Sequence, residues 1–113
     1  MAHIDFWIKK GDRRPYLKGV LKDENGDVID LTVANAVYFS METRDSETPK
    51  ISRQAAEVVS AVDGEVQYKW AAGDTDTPGI YFGEFVVDWS GSADDLTIPN
   101  DGYIIIEVKD DVS

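Results

Sequence analysis

Apolar and polar positions alternate with a period of two along much of this chain, and the stretch from Trp70 to Trp89 shows the pattern most fully. Trp70 closes an apolar run, and Gly73-Asp74-Thr75-Asp76-Thr77-Pro78-Gly79 supplies turn chemistry. Tyr81, Gly83, Phe85, Val87 and Trp89 then fall on one face of a long strand. Upstream, Phe6-Trp7-Ile8 predicts a short strand that ends in a turn at Lys9-Lys10-Gly11-Asp12. After Pro15, Leu17, Gly19 and Leu21 alternate with Tyr16, Lys18, Val20 and Lys22, as expected for a strand with one buried face. Asn25-Gly26, within Asp23–Asp27, is a hairpin dipeptide because both residues accept positive φ, and it predicts a return along Val28-Ile29.

The next strand is predicted over Val33–Glu42, with Val37, Phe39 and Met41 toward a core and Tyr38 and Ser40 outward. Thr43–Lys50 is polar and reads as an exposed loop. Ile51–Ala56 is ambiguous. Gln54–Ser60 has the propensity for a helical turn, but Val58, Val59 and Val62 lead straight into a second hairpin dipeptide, Asp63-Gly64. The pattern is therefore read as paired strands over Glu57–Val62 and Glu65–Trp70, with Val66, Tyr68 and Trp70 sharing a face. Ser90–Asp95 and Pro99–Gly102 predict turns around a short edge piece, Leu96–Ile98, and Tyr103–Lys109 a last strand with Ile104, Ile106 and Val108 inward. Seven or eight short strands with such turns describe an all-β fold, an antiparallel β-sandwich forming one domain over residues 1–113, with 1–5 and 110–113 expected to fray.

Composition narrows the function classes. With 113 residues, 42% of them hydrophobic, the chain suffices for one core and not for two. No apolar run approaches the ~20 residues of a membrane-spanning helix, and Met1–Lys10 lacks the order of a secretory signal, so neither membrane nor export is expected. Cysteine is absent, which excludes disulfides, thiolate zinc sites and a cysteine nucleophile. Charge changes the picture most. Acidic residues number 22 against 11 basic, yet residues 1–22 hold six basic and two acidic side chains, leaving five and twenty for the rest. Such an acidic body repels phosphate backbones, so nucleic acid is not an expected partner. Such acidity commonly serves solubility; the sharper reading is that the basic segment, Lys9, Lys10, Arg13, Arg14 and Lys18 with Lys22, and the acidic body dock head to tail between copies or partners.

Catalytic chemistry finds little to stand on. His3 is the single histidine and sits at the chain start, so no serine triad can be built, and no glycine-rich phosphate loop occurs. No enzyme activity, cofactor or small-molecule substrate is expected. Asp23, Asn25 and Asp27 alternate like calcium ligands, but the glycine falls early and Ala34 stands where a bidentate glutamate belongs. Asp74 and Asp76 lie beside Gly, Thr and Pro, where aspartates cap backbone N–H groups, and no metal is expected there. Trp7, Trp70 and Trp89 with Tyr38, Tyr68 and Phe82 could form a sugar-stacking platform, although period two turns Trp70 and Trp89 toward the core.

Several segments in order carry a resemblance: Ile8–Asp23, Asp30-Leu-Thr32, Val37–Met41, Gly64–Trp70, Gly73-Asp-Thr-Asp-Thr-Pro-Gly-Ile-Tyr-Phe-Gly-Glu-Phe85 and Pro99-Asn-Asp-Gly-Tyr103. Together they resemble the N-terminal domain family of phage baseplate upper proteins, over almost the whole chain. The resemblance implies an immunoglobulin-like β-sandwich that joins tail or baseplate parts of a bacteriophage or prophage virion, made in the bacterial host cytoplasm. Its partners would be other virion proteins, with self-association in a ring or array as a further option. Members of that family usually continue into a fibre-holding C-terminal region, whereas this sequence stops at Ser113, which favours a small adaptor or decoration subunit of tail, baseplate or neck. A carbohydrate-binding or calcium-stabilised adhesion module is the alternative. Within this frame Asp76-Thr-Pro-Gly79-Ile-Tyr81 resembles a tyrosine corner, with the Tyr81 hydroxyl expected to return to the preceding loop.

Overall fold

In a computed structural model, which describes residues 4–43, 49–89, 96–98 and 104–110, eight strands and no helix are formed. They are β1 (Phe6–Lys9), β2 (Leu17–Val20), β3 (Ala34–Thr43), β4 (Ile51–Ser60), β5 (Glu65–Tyr68), β6 (Gly79–Trp89), β7 (Leu96–Ile98) and β8 (Ile104–Lys109). The fold is all-β and sandwich-like, but its two layers belong to one sheet, ordered β1-β8-β6-β3-β4-β5-β2, with β7 also on β6. All pairs are antiparallel except β1 with β8, which is parallel, so the expectation of a purely antiparallel sheet is corrected by one edge. β7 and β8 lie end to end along the same side of β6.

The sheet folds over on itself at β4. Val37 to Phe39 pair with Gln54 to Ala56, whereas Glu57 to Ser60 pair with β5, so one strand serves both layers. A register shift between Phe39 and Met41 interrupts the β3–β4 ladder, and there Arg53 takes a positive φ of 49° and donates its N–H to Ser40 Oγ at 2.9 Å. β4 also settles the ambiguous stretch: Ile51–Ser60 is a single ten-residue strand rather than a helical turn followed by a shorter strand. Ile51 is its one buried residue, Ala56 and Ser60 are half-buried and the other seven are exposed, which explains why the sequence there lacks a clean apolar alternation.

The core lies between the layers and follows the predicted inward rows. Leu17 and Leu21, Val37, Phe39 and Met41, Val66, Tyr68 and Trp70, Tyr81, Phe85 and Val87, and Ile106 and Val108 are all buried. Phe39 is its centre, with ring centroids 4.9 Å from Tyr68, 5.1 Å from Phe85 and edge-on to Trp70 at 6.1 Å, geometries that suit aromatic quadrupoles. Gly83 is where β6 passes under this cluster: a Cβ there would stand 2.9 Å from both Phe39 and Ile106 side chains.

Two of the predicted turns take other forms. Asp23–Asp27 does turn, but Asp23 closes it: its backbone pairs with Asp27 and its Oδ1 accepts the N–H groups of Asn25 and Asp27 at 2.9 and 3.0 Å. The return along Val28-Ile29 is short, made by the bridge between Lys22 and Val28 and by Ile29 N–H on Leu21 O at 2.9 Å. Ala61–Gly64 links β4 to β5, and here Gly64 sits at φ 67° with Leu21 and Ile29 carbonyls 2.9 and 2.7 Å from where a Cβ would be. Leu21 N–H in turn reaches Gly64 O at 2.8 Å, so three backbone segments meet at a glycine. The turns expected at 90–95 and 99–102, most of the loop 43–50, and His3 lie outside the described residues.

Candidate functional site

The basic segment crosses one end of the sandwich from β1 to β2, and the loop 70–79 holds it there. Lys9 and Lys10 form a turn closed by Asp12 N–H on Lys9 O at 3.0 Å. Gly11 N–H donates to Thr75 O at 2.8 Å, and the buried Thr75 hydroxyl returns a bond to Asp12 O at 2.7 Å. Arg13 Nε donates to Trp70 O at 3.3 Å, and Trp70 Nε1 donates to Pro15 O at 3.0 Å across the cis Arg14–Pro15 peptide. The segment is therefore tied at both ends by backbone and side chains that leave its cationic heads outside.

The loop itself is built by its aspartates. Asp74 Oδ2 accepts the Ala71 N–H at 2.8 Å and the Tyr68 hydroxyl at 2.7 Å. Burial, and then that bond and the charge of Asp74, push the Tyr68 phenol well above its ordinary value. Asp76 accepts the Thr77 hydroxyl at 2.9 Å and pairs with Lys50, and those two bonds hold its carboxyl below the usual range. Both carboxylates thus have local partners, and no cluster of metal-ligating side chains occurs among the described residues. Gly79 enters β6 at φ 153°, and the buried Tyr81 hydroxyl donates to Thr77 O at 2.6 Å, the geometry of a tyrosine corner.

Four of the six basic side chains of residues 1–22 gather in two groups around this loop. Lys9 stands directly beside Lys109 in the parallel β1–β8 register, with Lys10 N–H on Lys109 O at 2.7 Å. Arg13 and Arg14 line a recess of about 340 Å³ with Tyr16, Lys69 and Trp70. Arg14 and Lys69 lie over the Tyr16 ring, 5.6 and 5.7 Å from its centroid. Lys18 projects from the same outer face as Tyr16 two residues along β2, opposite Gln67. Lys22 lies beyond β2, in the bridge with Val28.

Lys69, Lys109 and Tyr16 are the members that counting charge along the sequence misses. Lys69 follows β5 and Lys109 ends β8, so only the strand order brings them to the segment. A signal existed for one of them, since Lys69 alternates with Tyr68 and Trp70 and must face outward where they face in. Acidic neighbours are few but real: Asp12 lies in the turn, and Glu57 pairs with Lys69 at 3.3 Å. The surface can hold carboxylates or other anions by charge, with the Tyr16 ring backing two of its cations. In comparisons with known proteins, no family model and no curated protein matches the chain.

Proposed function

We propose that the chain is a non-enzymatic structural subunit of a bacteriophage or prophage virion, a small β-sandwich adaptor or decoration module of the tail, baseplate or neck that works by protein–protein contact. The observation that carries the docking surface is the fixed cationic end of an otherwise acidic domain, with Lys9 set against Lys109 and Arg13 and Arg14 around Tyr16. Like charges side by side repel, and an anionic partner surface relieves that repulsion. The phage assignment is supported by the ordered resemblance of Gly73–Phe85 and Pro99–Tyr103 to baseplate upper protein N-terminal domains. Exposed single ion pairs contribute only ~0.2–1 kcal/mol each, so the effect is collective and falls mainly on encounter and specificity.

The test is capture of virion proteins by the immobilised chain, with Lys9, Lys10, Arg13 and Arg14 all changed to Glu in the comparison protein. Capture falls sharply if the basic segment is the docking face, and equal capture by both proteins refutes it. A glycan-binding reading keeps one observation in its favour, the exposure of Trp7 at 51%. It is the weaker reading, because a sugar platform needs a row of free ring faces. Trp70 is buried, Arg53 lies 4.5 Å over Tyr38, and Lys109 lies 5.7 Å over Trp7, whose Nε1 already donates to Glu107.

A further inference from the structure

The two ends of β2 carry opposite charge, and this polarity has a consequence for the isolated chain. Before β2 stand Arg13 and Arg14, in the recess floored by Tyr16 and Trp70. After it comes the turn Asp23–Asp27, where exposed Asp23, Glu24 and Asp27, with the exposed Asp30 and, across the Gly64 junction, Asp63, outnumber the one cation there among the described residues, Lys22. The four residues of β2 alone span about 13 Å between these ends, beyond the ~10 Å over which exposed charges act on one another at 0.1 M salt.

We infer that a second copy of this chain occupies the recess, seating its Asp23–Asp27 turn against Arg13, Arg14 and Lys69. The inference rests on the basic end being a docking face and names an occupant for it. Charge complementarity selects this occupant. With a net charge of −11, two copies repel in most orientations, and the basic end of one against an acidic end of the other is the attractive arrangement. The turn is suited to the role because Asp23 spends one carboxylate oxygen on its own backbone, which fixes the loop, while Glu24 and Asp27 point their carboxylates to solvent. The recess is suited because its cations sit on a tyrosine ring, so approaching carboxylates meet a surface already ordered. Such a contact joins different faces of the two copies. Repeated, it closes a ring or extends a row, as heterologous contacts do.

Sedimentation of the purified chain tests this at about 0.1 M salt, where net repulsion between whole molecules is screened beyond ~10 Å while contact pairs persist. The average mass should rise with protein concentration and return to that of one chain at 1 M salt. R13E/R14E and E24K/D27K should each weaken association at least tenfold, and an equimolar mixture of the two should associate again, because each then offers the charge the other lost. Arg14→Glu alone, which spares the Arg13 bond to Trp70, should weaken it in the same direction, with an unchanged melting curve excluding misfolding. A chain that stays single at every concentration, or variants that fail to restore each other, overturns the proposal. If that happens while the fourfold Glu variant still loses virion proteins, the docking face stands without the second copy; if capture is also unchanged, both fall.

Discussion

Tyr81 shows at one residue how the corner loop is secured. Its hydroxyl reaches Thr77 O at 2.6 Å while the residue is 1% exposed, so removing the hydroxyl loses a hydrogen bond made by a buried side chain. Tyr81→Phe should therefore lower stability by ~1 kcal/mol or more in denaturant titration, and a change within about half a kcal/mol would contradict the corner. The same loop sets the response to pH. Burial raises the phenols of Tyr68 and Tyr81, with Asp74 acting on the first, and with Asp76 adding to and Lys50 opposing the second. A raised phenol contributes stability that is complete below the ordinary value of about 10 and is lost as pH rises through the folded value. Asp76, lowered by Lys50 and Thr77, does the reverse: its contribution is present above the usual carboxylate range near 4 and is lost as pH falls through the folded value. Unfolding free energy should accordingly be flat from about pH 5 to 9 and fall on both sides, and Tyr68→Phe should reduce the alkaline slope. An alkaline limb unaltered by that substitution would show that Tyr68 is not its source.

Among the elements, β4 and the Gly64 junction decide the shape. The inward rows of β2, β3, β5, β6 and β8 were legible because each alternates cleanly. β4 was not, since Gln54, Ala55, Ala56 and Glu57 favour a helix by propensity and only the neighbours β3 and β5 hold them extended. Val28-Ile29 returns alongside Leu21 and Lys22 as expected, through the Lys22–Val28 bridge and Ile29 N–H on Leu21 O at 2.9 Å, but stops there because the Ile29 backbone also meets the Gly64 junction. The parallel edge β1–β8 leaves no local signal at all, because it joins residues some hundred positions apart. Gly64→Ala tests the junction. The added methyl meets two carbonyl oxygens at a positive φ, so a loss of ~2 kcal/mol or more is expected in denaturant titration, and a loss below ~0.5 kcal/mol would mean the segments are not in contact.

For the molecule as a whole, the separation of charge was legible from the sequence and the shape of the site was not. Six basic residues in the first 22 announce a cationic segment, and Arg13, Arg14, Lys9 and Lys10 do lie at one end of the sandwich. Lys69 and Lys109 join them through strand order, and Tyr16 and Trp70 give the surface its floor, none of which a charge count can place. We propose that the resulting end fixes this chain to other virion proteins. Quantitative mass spectrometry of purified particles, assembled with either the natural chain or the variant carrying Glu at positions 9, 10, 13 and 14, tests it most directly. If the basic end docks the chain, particles should hold the natural chain at a constant copy ratio and the variant at least about tenfold depleted, a difference of ~1.4 kcal/mol. Particles that lack the natural chain, or that hold both proteins equally, would contradict it.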